Sequence, residues 1–193
     1  MKKLLMVLTG LLFSAGALIA QHTNFGIKAG INIASVEVDD GVDYDSKVGL
    51  HFGGLAHIHI NRHFAVQPEL VFSCQGGEDE GAKLKLNYLN LPILGQYMIN
   101  DGFRLQTGPQ VGFMLSAKQK IGDVTFEVDD VFNSVDFAWV FGAGYISRSG
   151  LGVDLRYNLG LSNISDDSDF EAKNRVFQVG LFYQFSSAAG RHK

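Results

Sequence analysis

The residues of this chain whose types and spacing could do chemistry are few. His51, His57 and His59 fall at odd positions of one alternating stretch. Residues two apart on a strand share a face, so His57 and His59 could converge on a metal through their ring nitrogens. No acidic or cysteine ligand is placed beside them by the same logic, and His59 and His63 flank a turn, so the expectation is no metal site. Asp166-Asp-Ser-Asp-Phe-Glu171 gathers oxygen ligands suited to Ca²⁺. It lacks the spacing and the glycine of an EF-hand loop. Ser116 could be drawn into a triad with a histidine and an aspartate, yet no Gly-x-Ser-x-Gly elbow is present and nothing brings the three together. Cys74 reads as a small packed or lipid-facing side chain rather than a nucleophile. No phosphate loop occurs. The expectation is therefore no catalytic residue, no cofactor and no enzyme activity.

What must position these residues is a sheet. The 193-residue length suits one domain, and 46% hydrophobic with 19% charged residues excludes disordered and collagen-like chains. A net charge of -4 argues against nucleic acid as a partner, and a single cysteine allows neither an internal disulfide nor a cysteine zinc cluster. Residues 1–20 read as a secretory signal peptide: Lys2 and Lys3, an apolar run from Leu4 to Ile19, and small residues at Ala15, Ala17 and Ala20. Residues 21–193 form the mature domain.

That domain alternates with a period of two, the mark of strands with unlike faces. Phe25, Ile27, Ala29, Ile31 and Ile33 oppose Gly26, Lys28, Gly30 and Asn32. Leu151, Val153, Leu155, Tyr157 and Leu159 oppose Gly152, Asp154, Arg156, Asn158 and Gly160. Six more stretches behave alike, and no apolar face carries a charge. The connections alternate in length. Asn61-Arg62-His63, Asn100-Asp101-Gly102 and Ser147-Arg148-Ser149-Gly150 are short turns, whereas Glu37–Lys47, Gly76–Leu84, Gln119–Ser134 and Ser165–Asn174 are longer and read as loops. The expected fold is an all-β, eight-stranded antiparallel up-and-down transmembrane β-barrel with both termini in the periplasm.

A soluble barrel also alternates, so three further features decide. The polar face is crowded with Gly, Gln and Ser, which fit the narrow lumen of eight strands. Aromatics cluster at strand ends: Phe64, Tyr97, Phe103, Tyr145, Tyr183 and Phe185 near the short turns, Phe72, Phe113, Phe137 and Trp139 towards the long loops. An export signal precedes the domain.

Several stretches resemble the PorT-type outer-membrane β-barrel family of Gram-negative bacteria. They are Phe25-Gly-Ile-Lys-Ala-Gly-Ile-Asn32, Gln67-Pro-Glu-Leu-Val-Phe-Ser73, Tyr88-Leu-Asn-Leu-Pro92, Gly108-Pro-Gln-Val-Gly112, and Phe141-Gly-Ala-Gly-Tyr145 followed by Leu151-Gly-Val-Asp-Leu-Arg-Tyr157. Asn90 stands where the family pattern has Glu. The resemblance implies an eight-stranded outer-membrane barrel; the secretion and gliding role behind the family name does not pass to every relative.

With this fold, Lys28, Glu69, Arg104, Asp136, Asp154 and Arg156 face the lumen, where they are expected to pair as an interior salt-bridge network rather than line an open pore. All acidic residues except Glu69, Asp101, Asp136 and Asp154 fall in the long connections, giving a solvated acidic outer surface. The expected function is an integral outer-membrane protein with a structural, interaction or secretion-accessory role, not an open porin. Its partners would be the lipid bilayer, lipopolysaccharide and envelope proteins, and it would be a monomer. The alternatives are a small barrel enzyme acting on lipid or peptide at the outer leaflet, and a soluble ligand-binding β-barrel with its aromatics turned inward.

Overall fold

The computed structural model describes residues 23–38, 45–79, 82–99, 102–122, 124–128, 133–164 and 172–185. The export segment expected over residues 1–20 and the acidic run 166–171 lie outside them. The alternating stretches form β1 (Thr23–Val38), β2 (Asp45–His59), β3 (Phe64–Gln75), β5 (Ala82–Ile99), β6 (Phe103–Ile121), β8 (Val135–Ile146), β9 (Leu151–Gly160) and β10 (Ala172–Gln184). Two short strands, β4 (Gly77–Asp79) and β7 (Val124–Glu127), are added at one end. All pairings are antiparallel. Sequence neighbours pair around the ring, and β1 joins β10 from Gly26↔Gln184 to Val38↔Ala172, so the eight long strands close into a barrel without a free edge.

The turns follow their residue chemistry. At the β2–β3 turn the Asn61 side chain accepts from the backbone N–H of His63 and of Phe64 at 2.8 and 2.9 Å. The turn into β6 and the turn into β9 each end on a glycine in the left-handed region, Gly102 at φ 110° and Gly150 at φ 88°. Proline, which brings no N–H to a ladder, sits where pairing thins. The β3–β5 pairing lapses between Pro68↔Ile93 and Val71↔Asn90, and the β5–β6 pairing between Pro92↔Gln110 and Gly95↔Thr107, with no change of register in either.

Through β8, β9 and β10 exposed and buried residues alternate almost strictly. The exposed face is apolar: Phe25, Leu50, Phe103, Phe141, Leu155 and Leu181 are all open to the outside. The buried face is polar, with Lys28, Asn32, His51, Glu69, Arg104 and Arg156 each at most 5% exposed. Among the described residues the buried aromatic rings besides the histidines are Tyr88 and Phe182. This eliminates the soluble barrel, which needed its aromatics inside.

All four expected long loops are replaced in part by sheet, two of them most deeply. β5 begins at Ala82 and β6 runs to Ile121, so Gly76–Leu84 and Gln119–Ser134 contain strand pairing that continues past the apolar belt. The physical reason is a small inner core: Leu84, Leu86, Tyr88, Ala117, Ile164 and Ala172 are buried together, with Met114 and Val128 packed against them. On the outside of the same hairpin Lys83 stands opposite Lys120 and Lys85 opposite Lys118. A bulge sets this arrangement. Asn87 pairs with Ser116 but Tyr88 with Met114, which leaves Leu115 unpaired and shifts β6 by one residue. Without it the alternation would turn Lys118 and Lys120 inward; with it Ala117 enters the core.

Candidate functional site

The lumen at mid-height is built from side chains that alternation sends inward from β1, β3, β6 and β9. Glu69 on β3 accepts two hydrogen bonds from Arg156 on β9, Nη1 to Oε2 and Nη2 to Oε1, both 2.7 Å. Around the ring β1, β2, β3, β5, β6, β8, β9 and β10, strands β3 and β9 lie four places apart in either direction. This bidentate pair therefore spans the barrel diameter. Lys28 on β1 lies 3.5 Å from Glu69 and 3.1 Å from Asp154, and Arg156 reaches Asp154 at 2.8 Å. A guanidinium and a carboxylate in parallel contact offset the cost of removing both from water, and the neighbouring charges complete the balance.

Arg104 is the third cation. It has Gln96 as an acceptor at 3.4 Å, and its guanidinium carbon lies 4.3 Å from the centroid of the Phe182 ring. The ring face supplies negative potential to a cation that makes no ion pair among the described residues. Gln96 and Arg156 both donate to Gln106 Oε1, at 2.9 and 3.4 Å, which joins this cation to the central pair.

His51 is packed into space made by two glycines. Gly30 and Gly180 face each other across the β1–β10 seam. A Cβ on Gly30 would stand 2.6 Å from His51 Cε1 and 2.7 Å from Gly180 Cα, closer than side chains tolerate. The His51 Nδ1 and the Asn32 carbonyl oxygen are 2.7 Å apart, and that oxygen also accepts from Gln178 at 3.0 Å. Asn32 in turn donates to Ser73 Oγ at 2.9 Å.

Of the six inward charges, five gather as expected. Asp136 does not join them. It lies towards the long-loop end, where Ser162 Oγ and Asn174 Nδ2 donate to its carboxylate at 2.7 and 3.0 Å, so neutral donors replace the expected cation. The histidines divide: His51 belongs to the Asn32 cluster, whereas His57 and His59 meet each other at the short-turn end with Nε2 atoms 3.3 Å apart. His59 shares the inward face with His57, as the alternation suggested, and is exposed because β2 ends there at the mouth. Ser116 Oγ accepts from Asn87 at 2.9 Å and meets no histidine or aspartate among the described residues. Cys74 is free and half-buried on the outward side of β3. Leu55, Leu94 and Phe182 are inward apolar residues that the sequence reading passed over. Only the parity of their neighbours could have found them.

The outside carries the remaining signal. Near the short turns Phe64 and Tyr97 pack at 5.2 Å between ring centroids, Phe103 and Tyr145 at 4.9 Å, and Tyr183 and Phe185 at 5.4 Å. Trp139, exposed on the apolar face, donates its indole N–H to Thr107 Oγ1 at 2.8 Å, so its one polar group is satisfied locally. A family described as outer membrane protein beta-barrel domain matches residues 19–166. The chain belongs to this outer-membrane β-barrel family. Its apolar face is accordingly the lipid face, and the short aromatic-rimmed end is periplasmic. Among solved structures the barrel is similar to Ail, the attachment invasion locus protein of Yersinia pestis, at 16% identity and TM-score 0.57, covering 85% of this chain and 99% of that one. It is also similar to Neisserial surface protein A, at 12% identity and TM-score 0.63, covering 83% of this chain and 97% of that one. At these identities the likeness shows the fold. No curated protein matches the chain.

Proposed function

We propose that this outer-membrane barrel is a closed, non-conducting and non-enzymatic protein that acts through its two rims. It would serve as a structural or interaction element, or as a secretion accessory of the kind the PorT-type resemblance implies. The observation that carries this reading is the Glu69–Arg156 pair across the lumen diameter, tied to Lys28 and Asp154. Ions or solutes would have to part a bidentate contact between opposite walls. The apolar cluster around Leu86 supports closure a second time at the outer end. In this reading the protein is a monomer anchored among lipopolysaccharide, whose phosphates would meet the outward lysines Lys85 and Lys120 beyond the apolar belt.

Planar-bilayer recording tests closure. The wild-type barrel should give no discrete conductance steps, whereas an open pore would give steady ohmic steps at every voltage and overturn it. Photocrosslinkers at Thr125 on the outer hairpin and Arg62 in the periplasmic turn test the rims in living cells. A discrete envelope protein trapped at either position supports the interaction role, and lipid products alone at both would leave a purely structural one.

A further inference from the structure

The lumen network ends at its periplasmic mouth in a histidine pair whose ring nitrogens can be assigned. Arg156 holds Glu69 as a carboxylate that accepts hydrogen bonds. Gln67 Nε2 donates to Glu69 Oε1 at 2.6 Å, which fixes the orientation of the Gln67 amide. Its carbonyl oxygen therefore faces His57 Nδ1, 3.2 Å away, and that nitrogen must carry the proton. His57 Nε2 then carries the lone pair and lies 3.3 Å from His59 Nε2, with the rings nearly perpendicular at 87°.

We propose that His57 and His59 form a two-histidine site for Zn²⁺ at the periplasmic mouth. Two zinc–nitrogen bonds of about 2.0–2.1 Å meeting at the tetrahedral angle place their nitrogens roughly 3.3–3.4 Å apart. The nitrogens already stand at that separation, and with the ring centroids 4.4 Å apart a turn of the exposed His59 ring brings both lone pairs onto one ion. Zinc would replace the hydrogen bond between the rings, with His59 carrying its proton on Nδ1 instead. Gln67 orients His57 from behind, as ligating histidines generally require. His59 is exposed and borders an open depression with Ile60, Asn61 and Arg62, which gives the ion a path and leaves two positions for water. Among the described residues no group of three His, Cys, Asp or Glu side chains encloses this point, so the site is open, not a closed structural one. The inference is independent of the role proposed above. It departs from the expectation of no metal because spacing could not show which nitrogens meet.

Zn²⁺ titration of the detergent-folded, tag-free mature protein tests the site, with calorimetry as the readout and heat-modifiable gel migration as the check on folding. One Zn²⁺ per chain is expected. His57→Gln and His59→Gln should each weaken binding at least tenfold. His63→Gln, whose ring stacks on Tyr97 at 6.2 Å, should leave it unchanged. Gln67→Leu should weaken binding about 10–100-fold. It should also shift the ¹⁵N signals of His57 away from the Nδ1–H form, which a packing role alone would not do. Absence of saturable binding, or equal binding in the double variant lacking both histidines, would overturn the proposal.

Discussion

The middle of the barrel and its outer hairpin are made from the same two strands and are built inside out relative to each other. At mid-height β6 sends Arg104 and Gln106 inward and exposes Phe103 and Leu105. Further along, the β5–β6 hairpin buries Leu84, Leu86 and Ala117 and turns out Lys83, Lys85 and Lys120. In hydrocarbon nothing drives apolar groups inward, so the interior is held by charge and hydrogen bonds. Past the belt water returns, and an ordinary apolar core becomes the cheaper interior. One unpaired residue, Leu115, carries β6 from the first regime into the second.

Glu69→Ala is the strongest way to break this comparison. It strips Arg156 and Lys28 of a buried partner and should lower stability by about 3–5 kcal/mol, read from urea unfolding in detergent. A cost below about 1 kcal/mol would mean the network is solvated rather than structural. Leu155→Arg places a charge at mid-strand on the lipid face and should cost about 2–4 kcal/mol. Asn158→Arg, on the buried face of the same strand, should disturb interior packing only. If heat-modifiable migration survives Leu155→Arg and is lost with Asn158→Arg, the two faces are reversed. Leu86→Ala should cost roughly 2–3 kcal/mol, confined to the hairpin. Hydrogen exchange should then rise at residues 82–88 and 117–121 while exchange at the Glu69–Arg156 level stays slow. Gly30→Ala crowds His51 at the seam and should cost about 1–3 kcal/mol by the same unfolding measurement. The smallest effect is expected at the Lys118–Glu127 contact, 3.2 Å and solvent-exposed, where Lys118→Ala should change stability by less than about 0.5 kcal/mol.

The alternation of β9 was legible residue by residue, and that of β1, β3, β8 and β10 in outline, because a lipid-facing side admits no charge, whereas inward apolar residues such as Phe182 break the contrast between the faces. The five central charges were legible as a group for the same reason. Their partners were not: Glu69 and Arg156 are joined by the curvature of the wall, which no spacing encodes. The outer hairpin was hidden although Lys83-Leu84-Lys85-Leu86 alternates, since its outward residues are charged and so read as loop. The bulge at Leu115 left no glycine to announce it. His57 and His59 were visible as a pair, but the state of their nitrogens depends on Gln67 and Glu69, and through them on a strand across the lumen.

The joining of the first strand to the last sets a condition on biogenesis. Until residues 172–184 are available, the amides of Gly26–Ala34 have β2 on one side and nothing on the other. Each such group left bare in hydrocarbon is penalised by several kcal/mol. A half-made wall therefore cannot wait in the bilayer, and insertion has to be coupled to completion of the cylinder, with the N-terminal end of the chain kept in water or on a chaperone until its C-terminal mate arrives.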